Sequence, residues 1–467
     1  MIRHALSAAC FGLAVALAPT APTAHAADPA QRAAEQPRPS PEQKNAFVRA
    51  RLVDAILLMD RHFRVAETGQ YLDAIRIGRD DHSGLPSSIA ATGIGLVSLA
   101  LGDALGIIPD AEDKAKVTLR NLLSIDEASG FRIPRSRGGW YPHFIDARTG
   151  EPVWGSQGKF STIDTALLAA GAAISARYFN AKSYAEGRGE SEIFRLTGRV
   201  VGGVRWQTAI EDVERGLIHL VFKGPDEVPL EDIFANPFDE YAILPCIAMR
   251  GEQMGGVTGP AHATFFRHYA RDKRLPTNDY GGRRVISKPY GAFISHFTHQ
   301  FALYYCNAFN TQPRYRQQLR DLADADRFHF APEGPNNDGT WPKNLWGLGA
   351  GAEVKFAPDR RIDYIGYGVN ALEKNPHGTA SPAIMAGFAP LYGPRSARDP
   401  LNDLMTLWKR GTCRYEHEGL GFLWRCSAKL PGEKVRLVEA VDFSTWILGL
   451  AGRDPAFGLP FFRNFNL

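Results

Sequence analysis

Glu240 is the acidic residue whose surroundings best suit proton transfer. It follows Asn236 and Pro237, which can cap and begin a helix, and Asp239, which can complete the cap. Glu240 is then one acid more than the helix start requires, and an apolar run follows it almost at once. Because burial raises the pKa of a carboxyl group, we predict Glu240 as a general acid.

Asp164 is the predicted partner of this acid. Ser161 can cap the helix that follows, and an acid in its first turn stabilises the positive helix end; alternatively, Asp164 faces a cleft there. Asp146, in a loop, and Asp442, near a late helix, are further candidate catalytic acids, each with a structural alternative as a turn or a helix-start residue. Two carboxyl groups that face one cleft can hydrolyse a glycosidic bond.

Aromatic and histidine side chains could complete a sugar site, because rings stack on the apolar faces of sugars and loops often carry binding residues. Seven residues are predicted to bind substrate: Trp140, Tyr141, His143, His296, His299, Trp341 and Trp346. Core packing is the alternative for the rings. His296 and His299 share a helix face, but no third metal ligand is evident, so we expect hydrogen bonding there, no metal and no cofactor.

The composition is that of a globular protein, with 467 residues, of which 44% are hydrophobic and 22% charged. A net charge of +4 argues against a nucleic-acid partner. Residues 1–26 have the features of a signal peptide cleaved near Ala26, so we predict a periplasmic or secreted protein, followed by a flexible lead-in over 27–40. No later stretch is apolar for long enough to span a membrane. We also expect the protein to be a monomer.

Residues 41–467 are predicted to form a single all-α domain. About a dozen segments show a helical hydrophobic period, and alternating patterns are sparse, mainly near 415–426. A toroid of paired helices would account for this number. Cys413 and Cys426 flank the predicted hairpin, where a disulfide is compatible with the sequence but not determined by it, whereas Cys246 and Cys306 are expected to be buried thiols.

The order of the clusters resembles the glycoamylase-like family of bacterial carbohydrate enzymes, which includes endo-β-1,2-glucanases and a domain of cyclic β-1,2-glucan synthases. The resemblance covers about residues 80–455. The matching stretches, in order, are DHSGLPSSIAATGIGLVSLAL, GGWYPHFIDARTGE, STIDTALLAAGAA, NPFDEYAILPCIA, FISHFTHQFALYY, TWPKNLWGLGA, HGTASPAIMAGFAPLYG and VEAVDFSTWILGL.

The resemblance implies an (α/α)6 toroid with long active-site loops, an active site on helix N-termini and hydrolysis of a β-linked glucan without a cofactor. The sequence therefore predicts an exported glycoside hydrolase with an oligo- or polysaccharide substrate, β-1,2-glucan being the first to consider. Two alternatives stay open. One is a carbohydrate-binding protein without activity, suggested by Lys159 where the family usually has an acid. The other is a polysaccharide lyase on the same toroid.

Overall fold

The capping box predicted at Ser40 begins the first helix. In the computed structural model, Ser40 Oγ accepts a hydrogen bond from the Gln43 amide, and the Gln43 side chain accepts one from the Ser40 amide. Pro41 is the first helical residue, where a missing N–H costs nothing. Local sequence signals alone therefore fix this helix start.

The structure describes residues 38–79, 81–126, 130–212, 217–230, 234–235, 242–253, 277–280, 282–286, 295–331, 342, 344–356, 362–371, 375, 377–430 and 432–465. The predicted signal peptide and nearly all of the predicted lead-in lie outside these residues. Residues 39–467 form one compact unit. Every helix in the described residues is too short or too polar to cross a bilayer.

Thirteen α-helices lie in the described residues, which confirms the predicted all-α class. They are Pro41–Leu58 (α1), Ile89–Ala104 (α2), Ala111–Leu122 (α3), Thr162–Ala185 (α4), Glu192–Gly202 (α5), Ile243–Gln253 (α6), Phe297–Tyr305 (α7), Asn307–Asn310 (α8), Pro313–Phe330 (α9), Pro382–Phe388 (α10), Pro400–Arg410 (α11), Ala440–Arg453 (α12) and Gly458–Phe465 (α13).

Six of these helices contact one another in a closed ring. The order around the ring is α2, α4, α6, α7, α10, α12 and back to α2. Further helices pack outside it: α1 contacts α2 and α12, α3 contacts α2 and α5, α5 contacts α4 and α6, α9 contacts α7 and α10, and α11 contacts α10 and α1. This is the contact order of a toroid of paired helices.

The strands are short and pair antiparallel in sheets of two or three. They are Ala74–Arg76 (β1), Ser87–Ser88 (β2), Phe144–Ile145 (β3), Lys159–Ser161 (β4), Ile210–Asp212 (β5), Leu217–His219 (β6), Val221–Lys223 (β7), Val228–Pro229 (β8), Phe234–Ala235 (β9), Thr277–Tyr280 (β10), Arg283–Ile286 (β11), Ala350–Phe356 (β12), Ile362–Val369 (β13), Thr379–Ala380 (β14), Arg414–His417 (β15), Leu420–Leu423 (β16), Cys426–Ser427 (β17) and Leu437–Glu439 (β18). The predicted hairpin is β15–β16.

Short strand pairs hold the starts of the ring helices. β2, β4 and β18 each end directly before a ring helix, and β14 ends two residues before α10. They pair with β3, β7, β1 and β17 respectively. The longer hairpin β12–β13 was not predicted.

Two disulfides are present, one of which corrects the sequence analysis. The Cys413–Cys426 bridge, which the sequence left open, is present, with the Cα atoms 5.5 Å apart. Cys246 and Cys306 were expected to be free thiols but are also bridged, with a Cα separation of 6.1 Å. Cys246 lies on α6 and Cys306 follows α7, and these helices are neighbours in the ring. A separation of 60 residues gives no sign of this contact in the sequence.

Two glycines allow α2 and α4 to touch at backbone distance. A Cβ atom added at Gly171 would overlap the carbonyl group of Gly93, and one added at Gly93 would overlap the backbone at Leu167 and Leu168. Neither helix can yield without moving its neighbours in the ring. This contact therefore sets the separation of the two helices.

We expect Gly171→Ala to lower the free energy of unfolding by roughly 1–3 kcal/mol through overpacking, although alanine has the higher helix propensity. Gly198→Ala is the matched control, because Gly198 also lies inside a helix but a Cβ there meets nothing within 4 Å. The control substitution should leave the free energy of unfolding unchanged or raise it by up to about 1 kcal/mol. Urea unfolding of both variants checks this, and equal stabilities would contradict the proposed close contact.

Candidate active site

The starts of four ring helices lie at one end of the ring. The Asp73 carbonyl accepts the Ala440 amide of α12 at 2.8 Å, and the Asp73 amide donates to the Pro86 carbonyl, just before β2 and α2, at 2.8 Å. Ser381, which precedes α10, donates to Asp442 of α12 at 2.6 Å. The charge of Asp164, in the first turn of α4, acts on Asp73. Helix N-termini carry partial positive charge, so this end favours acidic groups.

A cavity of about 480 Å³ lies at this end. Two acids, one histidine and several rings are among the residues that line it. These are Asp73, Glu439, His143, Phe144, Trp154 and Tyr367.

Glu439 is a buried acid of the cavity with a raised pKa. It is buried directly before α12, and its Oε1 accepts the Ala352 amide at 2.7 Å. Burial raises the pKa of Glu439 to about 8; the charge of Asp73 adds to this rise, and Arg425 and the Ala352 amide oppose it. Its Oε2 has no hydrogen-bond partner among the described residues. At neutral pH, Glu439 is therefore a protonated acid at the edge of the cavity.

Asp73 faces the same cavity and interacts with Glu439. Burial raises the pKa of Asp73, and the charge of Asp164 adds to the rise. His143 and a hydrogen bond with Ser88 act in the opposite direction, since they stabilise the ionised form. Burial thus raises the pKa of both acids, while His143 and Ser88 favour a charge on Asp73, and Arg425 and the Ala352 amide favour one on Glu439.

Asp164 combines the two interpretations that the sequence left open. Ser161 Oγ accepts the Asp164 amide at 3.3 Å, so this segment is a helix start. Its carboxylate is nevertheless directed to the site, with Oδ1 3.5 Å from His143 Nε2. Asp164 is buried. It therefore lies close to the cavity acids and can orient His143.

Asp442 is buried at the same helix start, but both of its oxygens are used for structure. Oδ1 accepts the Ala350 amide at 3.2 Å, and Oδ2 accepts the Ser381 hydroxyl. Burial raises the pKa of Asp442, and Arg425 and these two hydrogen bonds oppose the rise. Asp442 therefore joins α12 to α10 and to the start of β12.

Arg425 fixes the base of the β12–β13 hairpin beside Glu439. Its guanidinium donates to the Ala352 carbonyl at 3.2 Å and to Asn370 Oδ1 at 2.7 Å, and it lies 3.3 Å from Glu353 Oε1. Asn370 also donates to Glu353. The buried network holds the Ala352 amide in place for Glu439.

Exposed rings form one wall of the cavity. Trp154 is 58% exposed and Tyr367 is 54% exposed. Trp154 has a left-handed backbone, with φ of 51°, a strained conformation that is more common at functional sites. Phe144 contacts both Trp154 and His143, with ring centroids 5.7 and 3.7 Å apart. These surfaces suit stacking on a sugar.

Five residues predicted to bind sugar are instead buried in the core, because their neighbours cover them completely. They are Trp140, Tyr141, Trp346, His296 and His299. Trp140 packs edge-on against Trp206 at 5.3 Å, for example, and donates to Thr208. Their rings have no open face in this structure.

Asp146 lies in a turn, in agreement with its structural interpretation. One of its oxygens accepts the Arg148 and Thr149 amides, each at 2.9 Å. Burial, which raises its pKa, is outweighed by these hydrogen bonds, and the pKa is lowered. Of the residues predicted from sequence, the structure brings His143 and Asp164 together at the cavity. Glu240 and Trp341 lie outside the described residues and stay predictions.

Sequence reasoning missed Asp73 and Glu439. A signal for Glu439 was available, since it stands three residues before Asp442 at the same helix start. Asp73 gives no such signal, because its position depends on the pairing of β1 with β18. Trp154 and Tyr367 were missed because no sequence pattern marks which loop rings stay exposed.

Comparison with known proteins identifies the fold. Neither a scan of protein-family models nor a search of curated proteins gives a match. Among solved structures, an endo-β-1,2-glucanase from Chitinophaga pinensis, in complex with sophorotriose and glucose, is similar with a TM-score of 0.67 and 14% identity, covering 90% of this chain and 94% of that one.

Two further glucanases are similar. An endo-β-1,2-glucanase from Talaromyces funiculosus, in complex with sophorose, has a TM-score of 0.62 and 12% identity, covering 90% of this chain and 87% of that one. A β-1,2-glucanase from Parabacteroides distasonis has a TM-score of 0.64 and 16% identity, covering 90% of this chain and 58% of that one. The chain therefore has the fold of these glucanases, in agreement with the fold that the sequence resemblance implies.

Proposed function

We propose that this protein is a glycoside hydrolase that cleaves a β-linked glucan, with β-1,2-glucan as the first substrate to test. The observation that carries the proposal is the cavity in which Glu439, whose pKa burial raises to about 8, lies beside Asp73 under exposed rings. Similar structures described as β-1,2-glucanases support the substrate class. The predicted signal peptide would place the reaction outside the cytoplasm.

In the proposed mechanism, Glu439 and Asp73 have opposite roles. Glu439 donates its proton to the oxygen of the leaving sugar as the glycosidic bond breaks. Asp73 accepts a proton from the attacking water or attacks the sugar carbon itself. The helix N-termini and His143 stabilise its negative charge, and Asp164 orients His143. Trp154 and Tyr367 hold the sugar rings, which places the bond between the acids.

We expect Glu439→Gln and Asp73→Asn each to reduce turnover by about 10²–10⁴-fold, the usual contribution of a general acid or base. The assay is release of reducing ends from a panel of glucans that includes linear and cyclic β-1,2-glucan. Asp146→Asn is the control, because its carboxylate only holds a turn. It should keep full activity.

Other outcomes of the same assay distinguish the alternatives. Full activity in Glu439→Gln together with loss in Glu240→Gln would transfer the acid role to Glu240. Binding of one glucan without cleavage would favour the carbohydrate-binding protein. A product that absorbs in the ultraviolet would indicate a lyase.

The proton on Glu439 also predicts a pH dependence of stability. The ordinary pKa of a glutamate carboxyl group is 4.5, and burial raises it to about 8 for Glu439 in the fold, so between these values the folded state binds the proton and the unfolded state does not. Wild-type stability should therefore fall relative to Glu439→Gln as pH rises through this interval, by about 1.4 kcal/mol per unit at most. Thermal unfolding of both proteins from pH 4 to 9 checks this, and parallel curves would contradict a neutral Glu439.

The exposed rings should contribute to substrate binding. We expect Trp154→Ala and Tyr367→Ala to raise KM about tenfold, equivalent to about 1.4 kcal/mol, with a smaller change in kcat. Tyr184→Ala is a matched control, since Tyr184 is 59% exposed but lies at the far end of α4. If Trp154→Ala and Tyr367→Ala had the same KM as the wild type and Tyr184→Ala, the two rings would be excluded from the substrate site.

A further inference from the structure

Three histidines from separate segments meet outside the cavity. His62 lies in a π-helical turn, Met59–Phe63, at the end of α1; His82 lies in the loop before β2; and His417 ends β15. One ring nitrogen of each lies within 4.8 Å of the other two. His417 is buried, and the other two are partly buried.

The spacing of His62 and His417 matches that of two ligands of one metal ion. His417 Nε2 lies 3.2 Å from His62 Nδ1. Around a tetrahedral ion with metal–nitrogen bonds of 2.0–2.1 Å, neighbouring nitrogens lie roughly 3.3 Å apart. The third nitrogen, on His82, lies within 4.8 Å of the other two, so it needs a shift of at most about 1.5 Å to reach the same geometry, which a side chain in a loop can make.

A carboxylate orients the first of these rings. Glu418 Oε2 lies 3.3 Å from His62 Nε2, the ring nitrogen that faces away from His417. A negative charge there favours a proton on Nε2, so that Nδ1 can exchange its hydrogen bond with His417 Nε2 for a bond to a metal. This is the usual arrangement behind a histidine ligand.

The loop that carries His82 is held by its own hydrogen bonds. The Arg76 guanidinium donates to the Ser83 carbonyl at 3.0 Å, and the Asp81 carboxylate accepts the Ser83 amide at 2.7 Å. These bonds hold the backbone beside His82, so that the shift needed for coordination falls on its side chain.

Metal binding competes with two backbone hydrogen bonds. The Gly78 amide donates to His417 Nδ1, and the Arg76 amide donates to His82 Nδ1, both at 3.3 Å. Coordination through Nε2 moves the ring proton to Nδ1, so these amides must turn away. Both bonds are long, and such bonds are weak compared with metal–nitrogen bonds.

We propose that His62, His82 and His417 bind one divalent ion of the late first row, for which zinc is the probe, and that Glu418 orients His62. Three imidazoles with a fourth position for water suit zinc. The ion would join the end of α1 and the β15–β16 hairpin to the loop that leads to Leu85 and Pro86 in the cavity wall. Its expected effect is to stabilise this side of the protein.

The test is zinc titration calorimetry on tag-free, chelator-treated protein. We expect one zinc per chain, a rise in Tm with zinc, and visible absorption bands of tetrahedral cobalt when Co²⁺ replaces zinc. His82→Gln and His417→Gln should each weaken binding at least 100-fold, and Glu418→Gln about tenfold.

His219→Gln is the matched control, because His219 is also buried beside a carboxylate, with Glu211 at 2.9 Å, but in another sheet. It should bind zinc as the wild type does. Absence of zinc binding to the wild type, or binding that survives in both His82→Gln and His417→Gln, would overturn the proposal. Circular dichroism of each variant confirms that a loss of binding is not a loss of folding.

Discussion

The backbone contact between α2 and α4 at Gly93 and Gly171 is the constraint on which the site depends. These two helices are neighbours in the ring, and their starts lie at the end that carries the cavity acids. Helix N-termini carry partial positive charge, which attracts acidic side chains. Burial at this end, rather than any single partner, is the largest contribution to the raised pKa of Glu439.

The acids are costly to the fold. A carboxyl group that is neutral in the folded state and charged in the unfolded state destabilises the protein at neutral pH. The surrounding structure offsets part of this cost, with the Ala352 amide on Glu439 and Ser88 on Asp73. Asp442, by contrast, makes hydrogen bonds through both oxygens and links three segments. Of the two acids at the start of α12, Asp442 therefore stabilises the fold, whereas Glu439 lowers its stability.

Much of the helical framework could be predicted from sequence, because its signals are local. The Ser40 capping box, the hydrophobic period of the ring helices and the β15–β16 hairpin each depend on residues a few positions apart. The site was harder, because it depends on distant pairings. Asp73 reaches Glu439 through β1 and β18, and Cys246 reaches Cys306 through adjacent ring helices. The aromatic residues of the site were hard to predict for a related reason. Trp140 and Trp154 both lie in glycine-rich loops, but Trp140 is buried and Trp154 is exposed.

The β12–β13 hairpin has a mechanical consequence. Its register is irregular between Gly351 and Glu353, so Ala352, whose amide holds Glu439, lies opposite Gly366 and Tyr367. The amide that lowers the pKa of Glu439 and the ring on the cavity wall therefore occupy neighbouring positions of one hairpin. A sugar that displaces Tyr367 would move the Ala352 amide as well, and with it change the acid strength of Glu439.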